Sequence, residues 1–332
     1  MLNEQNLAKL SVRYMRFAEE EAVGHSPLYA ALARGVANDR DAMRFLTTLP
    51  DEKRQPNLLF AAVRHLLGTP PDWPHFRRTL LANSHAVRSI MLSRSTQTNE
   101  PARCATLLPV LAKLPQPLAL IEVGASAGLC LLPDFYGYDY KRRLIFPQAA
   151  RPGHPVFACM ASKGTPLPEA TPRVIWRGGL DLDPIDVADP SQAAWLEALV
   201  WPGQGPRLAN LRAALRIAAE QKPRIVRGNL LGDGLARLCD EAPKEATLVI
   251  FHTAVLAYVA TEADRLNFAE RVMSLCRFWI CNESPRIFPE MARSAGTSAT
   301  PDQFLLSVNG SPVAWTDPHG AAINWIGNEK WV

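Results

Sequence analysis

The sequence predicts an α/β protein in which an all-helical N-terminal region precedes an open, mostly parallel sheet that ends in an antiparallel hairpin. Three observations predict it. Apolar residues recur at helical spacing, with no convincing strand, as far as Leu114. After Pro115-Gln116-Pro117, short continuous apolar runs alternate with helical patterns, as strands buried on both faces do. Near the end, Asn309-Gly310 separates two strand-like runs, and Asn-Gly suits the left-handed dihedrals of a two-residue hairpin turn.

The opening helix is written by Leu7, Leu10, Tyr14 and Phe17, which share one face between charged residues. Ser26-Pro27 puts a capping hydroxyl ahead of a proline at the first helical position, and Asp39 and Asn57 stand as further caps before apolar-periodic stretches. Gly68 ends the helix that carries Phe60, Val63 and Leu67, because glycine takes the left-handed turn after a helix at little strain. Helical patterns over 74–94 and 101–114 complete a helical domain at 1–114, a lid in the expected architecture.

The second domain, 115–332, begins with Leu118-Ala-Leu-Ile-Glu-Val123, a buried parallel strand by its composition and its proline and glycine bounds. Similar runs follow at Arg173–Trp176, Arg224–Arg227, Thr247–His252 and Phe278–Asn282, and the closing hairpin pairs Gln303–Val308 with Ser311–Thr316. An insertion at about 136–172, rich in proline, glycine and aromatics, must loop out of the sheet with at most one short hairpin of its own.

Composition narrows the function classes. Apolar residues form 48% of the 332 and charged residues 20%, an ordinary globular balance. A formal charge of +4, from 36 basic and 32 acidic residues without a long basic run, gives no footprint for nucleic acid. Six scattered cysteines without a C-x-x-C pair suggest buried thiols rather than a disulfide framework, and neither they nor Asp181, Asp183 and Asp186, interrupted by Pro184, make a convincing metal site. No apolar stretch is long enough to span a membrane, and the N-terminus lacks the apolar core of a signal peptide, so the expected location is the cytoplasm.

The chemistry is expected at Glu122-Val-Gly-Ala-Ser-Ala-Gly128, between the first strand and a helix-like Leu129-Cys-Leu-Leu132. Small residues there let the backbone approach a ligand, a helix start offers free N–H groups, and Glu122 can take a hydrogen bond or a positive charge. The pattern is E-x-G-x-(small)-x-G of class I S-adenosylmethionine-dependent methyltransferases, with Ser126 where that pattern has its middle glycine. Asp181 is the preferred ribose ligand, Asp183 the second and Asp139 the third, while Gly228-Asn229 can edge an adenine. His252, at the end of a central strand, is the candidate general base and Tyr258 lines the same cavity, against the plainer reading of a hydrogen-bonded core histidine.

Four segments carry a family resemblance: Glu122–Leu129, Gly179–Asp186, Trp195–Pro202 and Phe251–Tyr258. With Phe17–Tyr29 they resemble the bacterial family known as domain of unknown function 2332, over nearly the whole chain. Its sheet domain is similar to class I methyltransferases, which implies a Rossmann-like sheet of seven strands with a final antiparallel hairpin. By position, the resemblance implies that Glu122, Gly124, Ser126 and Gly128 hold the methionine part, Asp181 the ribose and Asn229 the adenine of S-adenosylmethionine, with Ala125 and Asp183 as further cofactor-binding candidates. Cys130 departs from an asparagine frequent after the loop's leucine. The implied activity is methyl transfer to a small molecule.

Two other readings compete. Gly124-Ala-Ser-Ala-Gly128 also satisfies G-x-S-x-G, the nucleophile elbow of α/β-hydrolases, with Ser126 as nucleophile and Asp233 or Asp181 then His252 or His319 in the required order. Against it, no H-G-G oxyanion motif precedes the loop, and helices stand where a hydrolase sets its first strands. The third is a binding domain that keeps the fold without catalysis. Trp195, Trp201, Trp315 and Trp325 read as core or interface aromatics, and His25 as solvent-facing or crevice-lining.

Overall fold

The computed structural model describes residues 4–147, 152–298 and 300–327, which fall into two compact units, one of the described residues up to 98 with 189–209 and one of those in 99–188 and from 210 onward.

The first unit is helical: α1 (Glu4–Arg16), α2 (Pro27–Ala37), α3 (Arg40–Thr47), α4 (Pro56–Leu67), α5 (Trp73–Ala82) and α6 (Ser84–Ser93), with a π-helical turn at Phe17–Ala22. Leu10, Tyr14 and Phe17 are buried as their spacing predicts, and Leu7 is half-buried at the rim. They meet an aromatic core in which Phe60 lies 4.9 Å from Tyr29 and 5.5 Å from Phe76, ring centre to ring centre. Gly68 ends α4 at φ +81°. One expected cap is absent: Gln55 precedes Pro56 at the start of α4, so Asn57 is already inside the helix and its Oδ1 is buried without a partner.

Ser26 and Asp39 do cap. The Ser26 hydroxyl accepts from Tyr29 N at 3.4 Å, and Asp39 Oδ1 accepts from Ala42 N at 2.8 Å while its other oxygen receives Arg77 Nε at 2.5 Å. The loss of a side-chain cap costs about 1 kcal/mol. Asp39→Ala is therefore expected to lower the unfolding free energy by about that amount, seen in urea unfolding as a lower midpoint with the slope unchanged.

In the second unit α7 (Cys104–Leu111) is wholly buried and leads into β1 (Leu118–Val123), whose six residues are all buried. The chain then forms β2 (Gly137–Asp139), β3 (Leu144–Ile145), β4 (Val156–Ala158), β5 (Met160–Ala161) and β6 (Val174–Asp181). Helices α8 (Pro190–Leu199), which belongs to the helical unit, and α9 (Gly205–Gln221) lead to β7 (Arg224–Arg227). The rest is α10 (Gly234–Glu241), β8 (Thr247–Thr253), α11 (Glu262–Leu275), β9 (Phe278–Glu283), α12 (Pro289–Ser294), β10 (Phe304–Val308), β11 (Ser311–Thr316) and β12 (Ala322–Trp325).

Among the described residues the main sheet has nine strands in the order β5-β12-β11-β10-β9-β8-β1-β6-β7. Its β7-β6-β1-β8-β9 core is parallel, β10, β11 and β12 add antiparallel pairs, and β5 pairs parallel with β12. The sheet is thus mixed and mostly parallel, with more than the seven strands the resemblance implies. The extra strands escape sequence reading because β12 and β5 are short and lie beyond the turn signals.

The closing hairpin turns at Asn309 (φ +48°) and Gly310 (φ +79°), the two left-handed residues its sequence predicts. The insertion loops out between β1 and β6, which pair side by side, but only in part: β3, β2 and β4 form a separate three-stranded sheet in place of one short hairpin, and β5 returns to the edge of the main sheet beside β12. Among the described residues, no helix is long and apolar enough to cross a membrane.

Candidate ligand site at the sheet edge

Strands β6 and β7 follow β1 on one side and β8 and β9 on the other, so the winding direction reverses between β1 and β8. In open α/β sheets ligands bind outside the carboxyl ends of the strands at such a switch point. The Glu122–Gly128 segment leaves β1 there.

Its bend is left-handed at Gly124 (φ +76°), Ser126 (φ +48°) and Gly128 (φ +68°), and Ala254 at the end of neighbouring β8 is left-handed too (φ +57°). Such backbone in residues with a Cβ is strained, and strain of this kind gathers at functional sites. Glycine is required at 124, where a Cβ would also lie 2.2 Å from Val255 Cγ2, and at 179, where it would lie 2.6 Å from Ala125 Cβ.

The segment beyond the bend departs from expectation. Leu129–Leu131 makes one 3-10 turn and Pro133–Phe135 another, in place of the expected helix, because Pro133 removes a donor and fixes its own backbone. Three buried tyrosines of the insertion hold this stretch and its neighbour: Tyr136 Oη donates to Leu129 O at 2.8 Å, Tyr138 Oη to Pro133 O at 2.6 Å and Tyr140 Oη to Ala105 O at 2.6 Å. Burial pushes all three phenols well above their usual range. The Tyr-Gly-Tyr-Asp-Tyr run is the signal that sequence reading passed over.

With no helix start, the bend's amides are met by side chains. Ser126 N donates to Asp181 Oδ2 at 2.8 Å, Ala127 N donates to Asn99 Oδ1 at 3.2 Å, and Asn99 Nδ2 donates to the Ser126 hydroxyl at 3.0 Å. Asp181, at the end of β6, also accepts from Asp183 N through Oδ1 at 2.7 Å. A carboxylate has about four acceptor positions, so Asp181 keeps two for a ligand. The end of β7 is tied in through Gly228 N, which donates to Asp181 O at 2.8 Å.

Glu122 is 5% exposed, and its Oε2 has no hydrogen-bond partner. Burial chiefly, then the nearby Cys130 thiol, raises its carboxyl well above the usual range, against the opposing pull of Arg103. Cys130 is itself raised, first by its contact with Cys104 and then by burial. A buried acid with an unmatched oxygen, beneath a strained bend, is equipped to take a cationic or donor group.

The remaining predicted residues sort clearly. Asn229 is exposed beyond β7, its Oδ1 accepting from Leu231 N at 2.9 Å. Asp183 is exposed and pairs with Arg227 at 2.8 Å. Asp139 lies in the separate sheet, away from the β6 edge, where its Oδ1 caps Lys141 N at 2.7 Å. Tyr258 is 82% exposed. Trp195 donates to Ser95 O at 3.0 Å, Trp315 is buried, Trp201 packs 5.4 Å from Phe17, and Trp325 donates to Gly327 O, all packing roles; His25 faces solvent.

His252 is fully buried. Trp279 Nε1 donates to its Nε2 at 3.0 Å, which puts its proton on Nδ1, and Nδ1 donates to Glu283 Oε1 at 2.7 Å. With both nitrogens committed, neither faces a substrate, and the ring is a structural hub of the core. The same pairing leaves it no nitrogen for Ser126, and Asp233 sits at the surface beside Arg271. Among the described residues no cluster of three or more His, Cys, Asp or Glu could hold a metal.

Fold and site together define an α/β protein in which the bend after β1, with Glu122 and Asp181 beside it, lies at the switch point of a mostly parallel sheet. The chain belongs to the family of uncharacterised proteins conserved in bacteria, domain of unknown function 2332, whose model matches residues 11–325. No curated protein and no solved structure matches the chain.

Proposed function

We propose that this protein is an S-adenosylmethionine-dependent methyltransferase acting on a small-molecule acceptor. The observation that carries the reading is the unmatched, buried Glu122 oxygen under a left-handed bend at the switch point, with Asp181 directed at the same bend. Glu122 fits the ammonium of the methionine part, and Asp181, with its two spare acceptor positions, fits the ribose hydroxyls. Asn229 stands one strand further on for the adenine.

The cofactor supplies an activated methyl group on a sulfonium. The chain's residues supply position: Gly124 lets Val255, and Gly179 lets Ala125, pack close against the backbone, and Asp181 and Asn99 hold the bend's amides. Holding reacting groups in contact geometry is the largest contribution such a site makes. Since His252 is committed to Glu283 and Trp279, the reading assigns no proton acceptor to it and favours an acceptor atom that needs none removed beforehand.

Ser126 in a left-handed conformation is the one observation that favours a hydrolase, whose nucleophile also sits on a strained turn. One pair of assays separates the two. Calorimetric titration with S-adenosylhomocysteine is expected to show binding that Gly124→Arg reduces by more than about 100-fold, since about 3 kcal/mol of overpacking suffices for that factor. Circular dichroism checks that the variant stays folded. Absence of binding together with labelling of Ser126 by a fluorophosphonate would replace the methyltransferase with an esterase.

A further inference from the structure

On the same face of the sheet as Glu122, and along the same edge, runs a row of buried polar groups the cofactor reading does not use: Thr253 on β8, Asn282 on β9 and Thr316 on β11. Thr253 and Asn282 are register partners, so their side chains rise from adjacent strands about 4.8 Å apart. The Thr316 hydroxyl meets the Asn282 amide at 2.7 Å, and the amide's Nδ2, fully buried, has no partner.

Against this row lies Arg103, 6% exposed. Its Nε donates to Pro318 O at 2.8 Å, and its Nη1 to Thr253 O and Oγ1, both at 3.2 Å. Among the described residues no carboxylate comes within 4.0 Å of the guanidinium. Glu100, one turn before it, is turned to its own Ala102 N at 3.2 Å and to His319 at 4.0 Å. A buried cation without an anionic partner is costly, and with Nε and Nη1 donating to protein oxygens the remaining Nη2 N–H groups are left for a carboxylate. An anionic ligand group here answers the unpaired charge and the unmatched amide at once.

We propose that the methyl acceptor is a small carboxylic acid, its carboxylate read by Arg103 together with Asn282. The proposal rests on the methyltransferase reading for the chemistry done at the site, whereas the anion pocket is defined by these side chains alone. Its place on β8 and β9, across the switch point from Asp181 on β6, sets it on the opposite side from the nucleoside ligands.

The test compares wild type with Asn282→Asp, a substitution that keeps size and hands Arg103 an internal carboxylate, so the variant is expected to fold with an equal or higher melting temperature. Propionate and the neutral isostere propionamide, at matched ionic strength, are the probes in a thermal-shift titration. Propionate alone is expected to raise the wild-type melting temperature by about 2 °C or more through preferential binding to the folded state. Asn282→Asp is expected to lose that response, and Arg103→Lys, which keeps charge but not the fork, to need about tenfold more propionate.

In parallel, S-adenosylhomocysteine and 5′-methylthioadenosine, which lacks the amino-acid carboxylate, are titrated by calorimetry. A propionate response abolished by Asn282→Asp, with S-adenosylhomocysteine bound, supports the proposal; the same response with neither nucleoside bound keeps the carboxylate site but overturns its role as the methyl acceptor's site together with the cofactor reading. A tenfold preference for S-adenosylhomocysteine that Asn282→Asp erases, without a propionate response, assigns the pocket to the cofactor and overturns the proposal. No propionate response and no change of preference overturns it as well.

Discussion

Alanine at position 252 is expected to lower the melting temperature by about 10 °C. His252 is fully buried, accepts from Trp279 Nε1 and donates to Glu283 Oε1, the same oxygen that receives Val255 N at 2.8 Å and Leu256 N at 3.2 Å. Its ring stacks at 5.9 Å on Trp279 and meets Phe268 edge-on at 5.6 Å. Removal leaves a 2%-exposed carboxylate and an indole N–H short of a partner, and opens a cavity between two aromatics. Breaking a buried charge-assisted pair costs about 3–5 kcal/mol, and each kcal/mol shifts a unit of this size by about 2–4 °C. Calorimetric melting checks it. A melting temperature within about 2 °C of wild type, with turnover lost, would return His252 to the role of general base.

The place of His252 in the sheet was legible because a continuous apolar run bounded by turn residues leaves little choice but a buried parallel strand. Its role was not, because that depends on Glu283 and Trp279, two residues of another strand brought alongside only by the β8–β9 register. The same division recurs. The β1 limits and the Asn309-Gly310 turn are local properties, written in local composition. Asp181 was reachable because an acidic strand end beside the first loop is a positional rule of open sheets.

What lay outside reach was long-range. Nothing near Glu122 in sequence announces that Asn99 would take the Ala127 amide, that two tyrosine hydroxyls would hold the two ends of a stretch expected to be a helix, or that the Arg103 side chain would be fastened between Thr253 and Pro318. Asn57 shows the converse. Its capping chemistry was sound, but proline at position 56 set the helix start first, and backbone geometry outranked a side-chain preference.

Glu122→Gln is expected to separate stability from ligand binding, with opposite signs. The folded-state pKa of Glu122 is raised, so its proton is held in the native state above the pH at which the unfolded chain releases it. The stability it contributes is fully present below the unfolded value of 4.5 and is lost as pH rises through the folded value. Between the two, stability falls by about 1.4 kcal/mol per pH unit on this account. Glutamine has nothing to ionise. The variant should match wild type near pH 4 and exceed it increasingly as pH rises toward the folded-state value, as urea unfolding at a series of pH values would show. A gap that stays constant with pH would remove the buried acid from the argument. Binding should move the other way, because a ligand ammonium is paired by a carboxylate and not by an amide. Hydrogen bonds to charged groups contribute about 1.5–3 kcal/mol, so S-adenosylhomocysteine should bind the variant about 10- to 100-fold more weakly. A core acid kept only for packing would gain stability on substitution at no expense in affinity, and it is the simultaneous loss of affinity that identifies the unmatched oxygen of Glu122 as a ligand contact.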